Sequence, residues 1–255
     1  MYGDPDPAAG RTKLFALLGA LVLLAAIVVA VMFWPSRSVE TAEGIEAELQ
    51  RTPALRDTTQ ALKTHYPQEY QALLQRMAAA GRRGGRRAAS DEAGPAMRAF
   101  LASKATAFAR APSRELQRLA GAQLTLVRAL QRENVTACAQ FVMNGLRSDQ
   151  GLSAATLALV SRVAVLQIEA ASAGDRSGRT PRGEPSQAEF QLWLQRIRAI
   201  DPAAATDIES DAIGGVPPDR QCRDGVALHQ ALAELPAEPA GNLMALLMRE
   251  AVAQR

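Results

Sequence analysis

Few residue types in this chain can do chemistry beyond acid and base work: two cysteines, Cys138 and Cys222, and two histidines, His65 and His229. Both cysteines follow an apolar N-terminal run, and an even pair in an oxidising compartment is by default a disulfide. A bridge from 138 to 222 closes a long loop, which the chain-entropy model values at roughly 4 to 5 kcal/mol. The alternative is a thiol nucleophile served by an imidazole. Cys222 and His229 share one expected helix, but two turns separate them by about 10 Å of axial rise, beyond the reach that activates a thiol. Cys138 with His65 or His229 stays open as that alternative, each histidine otherwise being read as a surface or capping residue.

Other catalytic patterns are missing. There is no HExxH and no His/Cys cluster for zinc. Gly84-Gly85 lacks the GK[ST] of a phosphate loop, and Gly151-Leu152-Ser153-Ala154-Ala155 lacks the second glycine of a nucleophile elbow. No cofactor and no metal are expected. One enzyme class survives as an alternative, an envelope glycan-cleaving enzyme using a single glutamate as acid and base. Such a groove needs aromatics for sugar stacking, and aromatic residues are only 4% of the chain. Tyr2, Phe15, Phe33 and Trp34 belong to the N-terminal region, which leaves few for a groove.

Two arginine-rich segments are candidate contacts for anionic groups. The first, Gly81 to Pro95, carries Arg82, Arg83, Arg86 and Arg87 among glycines; the second, Asp175 to Pro185, carries Arg176, Arg179 and Arg182. Both read as flexible, solvated loops. If they share one face, they make an anionic-lipid-contacting surface, a further alternative for function. Met244 and Met248, four apart on the last expected helix, suit adaptable contacts, although packing is the commoner use of methionine there.

These residues are positioned by an anchor and a helical domain. Leu14 to Trp34 contains no charged, amide or hydroxyl side chain. As a helix it reaches about 31 Å, the thickness of a bilayer's hydrocarbon core. It is too long for the apolar region of a cleaved signal peptide, and the residues after it are too bulky for a cleavage site, so it reads as a single-pass signal-anchor. Phe33 and Trp34 suit the membrane interface. Arg11 and Lys13 favour a cytoplasmic N-terminus, which places the remainder outside the cytoplasm at the inner (cytoplasmic) membrane. The pairs Ala16/Ala20 and Ala26/Ala30 have the small-xxx-small spacing of span dimers, a pattern expected by chance in so Ala-rich a run, so a homo-oligomer has no independent support.

The net charge of +3 sits wholly after the span, since Arg11 and Lys13 offset Asp4 and Asp6. That balance does not suit a nucleic-acid binder. With 48% hydrophobic residues and few β-branched runs, the remainder reads as an all-α bundle of about eight helices. The expected division is a short cytoplasmic tail over 1–13, the transmembrane helix over 14–34, an acidic stalk over 35–52, and a helical domain over 53–255 with flexible basic loops at 81–95 and 175–185. Ser153 caps the most apolar helix, from Leu157 to Ile168, expected at the centre of the domain. Ser186 and Glu189 form a capping box before Phe190, Trp193, Leu194 and Ile197, with Trp193 in the core. The function that fits is a membrane-anchored interaction or scaffold module of the bacterial envelope, its partners the lipid bilayer and another envelope protein.

Overall fold

The computed structural model describes residues 39–146 and 151–253, and these form an all-α fold of eleven α-helices and one 3-10 turn, with no strand among the described residues. The helices are α1 (Ala42–Arg51), α2 (Pro53–His65), α3 (Pro67–Ser103), α4 (Ala105–Arg110), α5 (Ser113–Glu133), α6 (Val135–Asn144), α7 (Ala154–Arg176), α8 (Gln187–Ile200), α9 (Pro202–Glu209), α10 (Pro218–Glu234) and α11 (Ala237–Ala253). The apolar run 14–34, including Phe33 and Trp34, lies outside the described residues, as does the tail before it.

Local chemistry accounts for the boundaries. Proline opens α2, α3, α9 and α10, where its missing N–H removes no helical bond. Side-chain caps open others: Asn134 accepts from the Ala137 N–H at 3.0 Å, and Ser153 from that of Thr156 at 3.2 Å. At Ser186 the full capping box forms, with Glu189 bonding back to the Ser186 N–H at 2.7 Å.

The layers follow from which faces are apolar. Helix α5 packs on α7, α10, α11 and α6, while α7 also carries α2 and α4, and α10 carries α6, α8 and α9. Val163, Ala164, Val165, Leu166, Gln167 and Ile168 are consecutive buried residues of α7, so over this stretch the helix is enclosed on all sides, as its sequence suggested. By length and composition α7 alone among the described helices could cross a membrane, but 61% of its apolar window is buried inside the domain, the mark of a core helix. Trp193 is fully buried and donates Nε1–H to the Leu228 carbonyl at 3.3 Å.

Two expectations are corrected. The segment expected as an acidic stalk is helix α1, packed on α2 and α3 with Ile45 and Leu49 fully buried. An i, i+4 pair of large apolar residues is enough to fasten so short a helix, with Glu43 exposed and Glu46 and Glu48 partly buried at its flanks. The expected basic loop at 81–95 is helical: it belongs to α3, broken only at Gly84 and Gly85. Gly85, at φ 66° and ψ −157°, adopts a backbone conformation open in practice only to glycine. There the chain doubles back, so that 67–83 and 86–103 are two arms of a helical hairpin. The described residues form eleven helices, more than the roughly eight expected.

Candidate functional site

The hairpin fixes where the arginines of 82–87 stand. Its arms are pinned at mid-length by Arg76 and Glu92, whose guanidinium and carboxylate meet at 2.6 Å. At the base the Tyr66 ring meets Phe100 edge-on at 5.1 Å, and the Lys104 ammonium sits 4.1 Å above the Tyr66 ring. Lys104 also pairs with Glu69 at 2.9 Å, holding that carboxyl below its ordinary range against the opposing effect of burial, which is the largest single influence on it. Arg82, Arg83, Arg86 and Arg87 therefore stand at the tip, about 25 Å from the base along a helical arm. Arg82, Arg83 and Arg87 are exposed, and Arg86 is half-buried and engaged within the domain.

The tip leans on the first described residues of the chain. Arg82 donates Nη1–H to the Glu40 carbonyl at 2.8 Å. Val39 is fully buried against Gly81, where an added Cβ would stand 2.0 Å from the Val39 oxygen, so only glycine permits this approach.

The second arginine group is placed elsewhere. The Tyr66 hydroxyl donates to Asp175 at 3.0 Å, which puts the end of α7, and with it Arg176, at the hairpin base. Burial and that hydrogen bond push the Tyr66 phenol well above its ordinary range. The seven arginines thus divide between opposite ends of the hairpin and do not form one surface. Arg176 donates to the Ser172 hydroxyl, which also meets His65 Nδ1 at 3.1 Å. Arg182 is corrected as an anionic contact. Its guanidinium is turned inward, donating to the carbonyls of Ala109 and Ala111 and, at 2.7 Å, to the Ser113 hydroxyl. Burial lowers its affinity for the proton, and Glu238 opposes that shift. Arg179 remains exposed in the segment after α7.

Cys138 on α6 and Cys222 on α10 are bonded to each other, with Cα atoms 5.3 Å apart. Both are buried, and neither is available as a nucleophile. His229, two turns further along α10, is corrected from a surface or capping residue to a fully enclosed one. Its ring stacks on Phe141 with centroids 6.2 Å apart, neither nitrogen finds a partner, and burial lowers its pKa to about 4.

On another face of α10, Arg220 bridges Asp207 at 2.8 Å and Asp224 at 3.0 Å. Asp224 is fully buried. Burial is the main cause that raises its pKa to about 7, with Asp207 and Asp201 adding to the rise and Arg220 opposing it. The ion pair alone argues for an ionised carboxylate. Burial prevails, because one guanidinium serves two carboxylates and Asp224 is closed off from solvent. This cluster was not legible in the sequence; the Arg220/Asp224 spacing of four was its only sign.

Two grooves remain. One of about 290 Å³ between α5 and α7 is lined by Arg118, Thr125, Leu159, Arg162 and Leu166; the other, about 150 Å³, lies in the hairpin base beside Leu62, Arg76, Met97 and Phe100. Neither brings together groups that could act as nucleophile and base. Tyr66, Tyr70, Phe100, Phe108, Phe141, Phe190 and Trp193 are all buried, so no described aromatic is presented for sugar stacking. Met244 and Met248 are core residues. No family model, no curated protein and no solved structure matches this chain.

Proposed function

We propose that this chain is a single-pass, membrane-anchored helical module of the bacterial envelope, its domain outside the cytoplasm, which binds another envelope protein in a scaffolding or tethering role. The observation that carries the reading is the buried Cys138–Cys222 disulfide, a bond that persists where the compartment is oxidising. The apolar run 14–34, long enough to span a bilayer, supports the anchor. The binding role rests on chemistry: the polar clusters among the described residues serve to close the fold, with Arg182 on backbone carbonyls and Arg220 between two carboxylates.

The test is the redox state of the two cysteines in native cells, read by thiol labelling with and without reductant and mass spectrometry of their peptides. A linked pair is expected. Two free thiols, shielded from an impermeant reagent until lysis, would reverse the topology and end the envelope assignment. For the partner, photo-crosslinkers at the exposed apolar residues Val135 and Leu192 should capture a defined envelope protein.

A further inference from the structure

The hairpin tip packs on Val39 and Glu40, the first described residues, which follow the apolar run closely in sequence. Arg82 bonds the Glu40 carbonyl, and Gly81 packs directly on Val39. Val39 stands five positions after Trp34, the last residue of the apolar run. Five residues reach at most about 18 Å when fully extended, so covalent geometry alone holds the tip close to the end of that run. The packed helix α1 removes the slack that a stalk would have provided.

We propose that the arginine tip of the α3 hairpin docks on anionic phospholipid headgroups of the membrane in which the chain is anchored. The inference rests on the anchor reading given above. Arg83 and Arg87 are its principal contacts, being exposed on either side of the Gly84–Gly85 turn. Arg82 contributes charge while tied to Glu40. Glu40 and Glu43 on the facing segment and Asp91, one turn after Arg87, are together fewer than the four arginines of the tip, so the net charge there stays positive. A phosphate surface is the partner such a face fits, because guanidinium groups take phosphate oxygens in pairs and need no shaped pocket. The hydrophobic anchor already confines the tip near that surface, so docking costs little further translational entropy. Docked at the tip, the hairpin becomes a strut, and its base at Tyr66, Lys104 and Asp175 is held about 25 Å from the tip.

The experiment uses the full chain reconstituted in nanodiscs of phosphatidylcholine, alone or mixed with phosphatidylglycerol. A fluorophore on A88C, beside the turn, is read for quenching by headgroup spin-labelled lipid, with A188C on α8 as the distant control. Quenching at 88 should rise with phosphatidylglycerol, fall at high salt and stay flat at 188. R83Q/R87Q should lower the docked-to-undocked ratio roughly 30-fold, the equivalent of about 2 kcal/mol for two arginines at a charged surface. R83K/R87K should restore most of it, which separates charge from any local packing effect. Quenching at 88 that ignores lipid composition, salt and R83Q/R87Q would overturn the proposal with the anchor intact. Release of the wild-type chain by alkaline carbonate would remove the anchor itself, and docking would fall with it.

Discussion

Arg76 and Glu92 stand 16 positions apart in one helical stretch, yet their side chains meet at 2.6 Å. In a straight helix their Cα atoms would be about 24 Å apart. The pair therefore measures a reversal of direction, and the reversal depends on the backbone at Gly85. Everything placed by the hairpin, from the tip arginines beside Glu40 to Lys104 over Tyr66, follows from that one turn.

Gly85→Ala should cost about 1 to 3 kcal/mol, because an L side chain at φ 66° and ψ −157° is strained although nothing crowds the position. Gly121→Ala, inside α5 with open space around its Cβ, should instead stabilise by about 0.5 to 1 kcal/mol. Urea titration of the two variants checks both signs, and equal effects would place the turn elsewhere.

Arg182 and Arg179 offer a second contrast. Arg182→Gln removes donors from two backbone carbonyls and the Ser113 hydroxyl, and should destabilise by about 1 to 3 kcal/mol. Arg179→Gln, on an exposed side chain, should stay within about 0.5 kcal/mol of the parent in thermal melts. A neutral Arg182→Gln would return that residue to the surface.

How much of this was readable beforehand depended on whether the deciding interaction was local. The caps at Asn134, Ser153 and Ser186 were, since the donor and acceptor lie within three residues. The cysteine pair was readable for a different reason, being the only two cysteines in the chain, and α7 from its continuous apolar run. The hairpin was hidden because arginine and glycine dominate 81–87, while the first turns of the second arm pack through small residues, Ala89, Ser90, Ala93 and Ala96, that carry little hydrophobic signal. The glutamates of α1 suggested a stalk, helical or frayed, and concealed its packing on the domain through Ile45 and Leu49. The inward turn of Arg182 and the water-free setting of Asp224 are tertiary facts, set by α4 and α9, which nothing in the flanking sequence announces.

His229 makes stability pH-dependent in a defined direction. Its pKa is near 6.5 unfolded and about 4 folded, so the unfolded chain binds the proton first as the pH falls. Stability should therefore decline from about pH 6.5 down to about pH 4, by on the order of 3 kcal/mol if this group acted alone. Asp224 works the other way: its folded pKa is raised to about 7, so the fold gains stability as the pH falls through that value toward the unfolded carboxyl range. The two slopes oppose each other, and variants separate them. His229→Leu should flatten the acid-side loss and, by removing two unpaired ring nitrogens, stabilise the domain at pH 5. Asp224→Asn should abolish the gain and leave the His229 decline steeper. Denaturant midpoints between pH 4 and 8 for the three proteins decide it; a parent curve unchanged by His229→Leu would mean that the imidazole is hydrated in the fold.

The disulfide should act mainly on the unfolded chain. It closes a sequence separation of 84, a span that contains all of α7, α8 and α9. In the folded domain α10 already packs on both α6 and α5, so removing the bond leaves that seam in place. The unfolded chain, by contrast, gains the full freedom of a long loop. Cys138→Ala/Cys222→Ala should thus fold to the same helical content while losing about 3 to 5 kcal/mol. Its denaturant dependence should also steepen, because a chain without the cross-link exposes more surface when it unfolds. The two readouts together identify the mechanism. A lower midpoint with an unchanged slope would place the bond's contribution in the native packing of α6 on α10. A loss of helical content in the absence of denaturant would mean that the seam does not hold without its bond, and that oxidising conditions are required for folding.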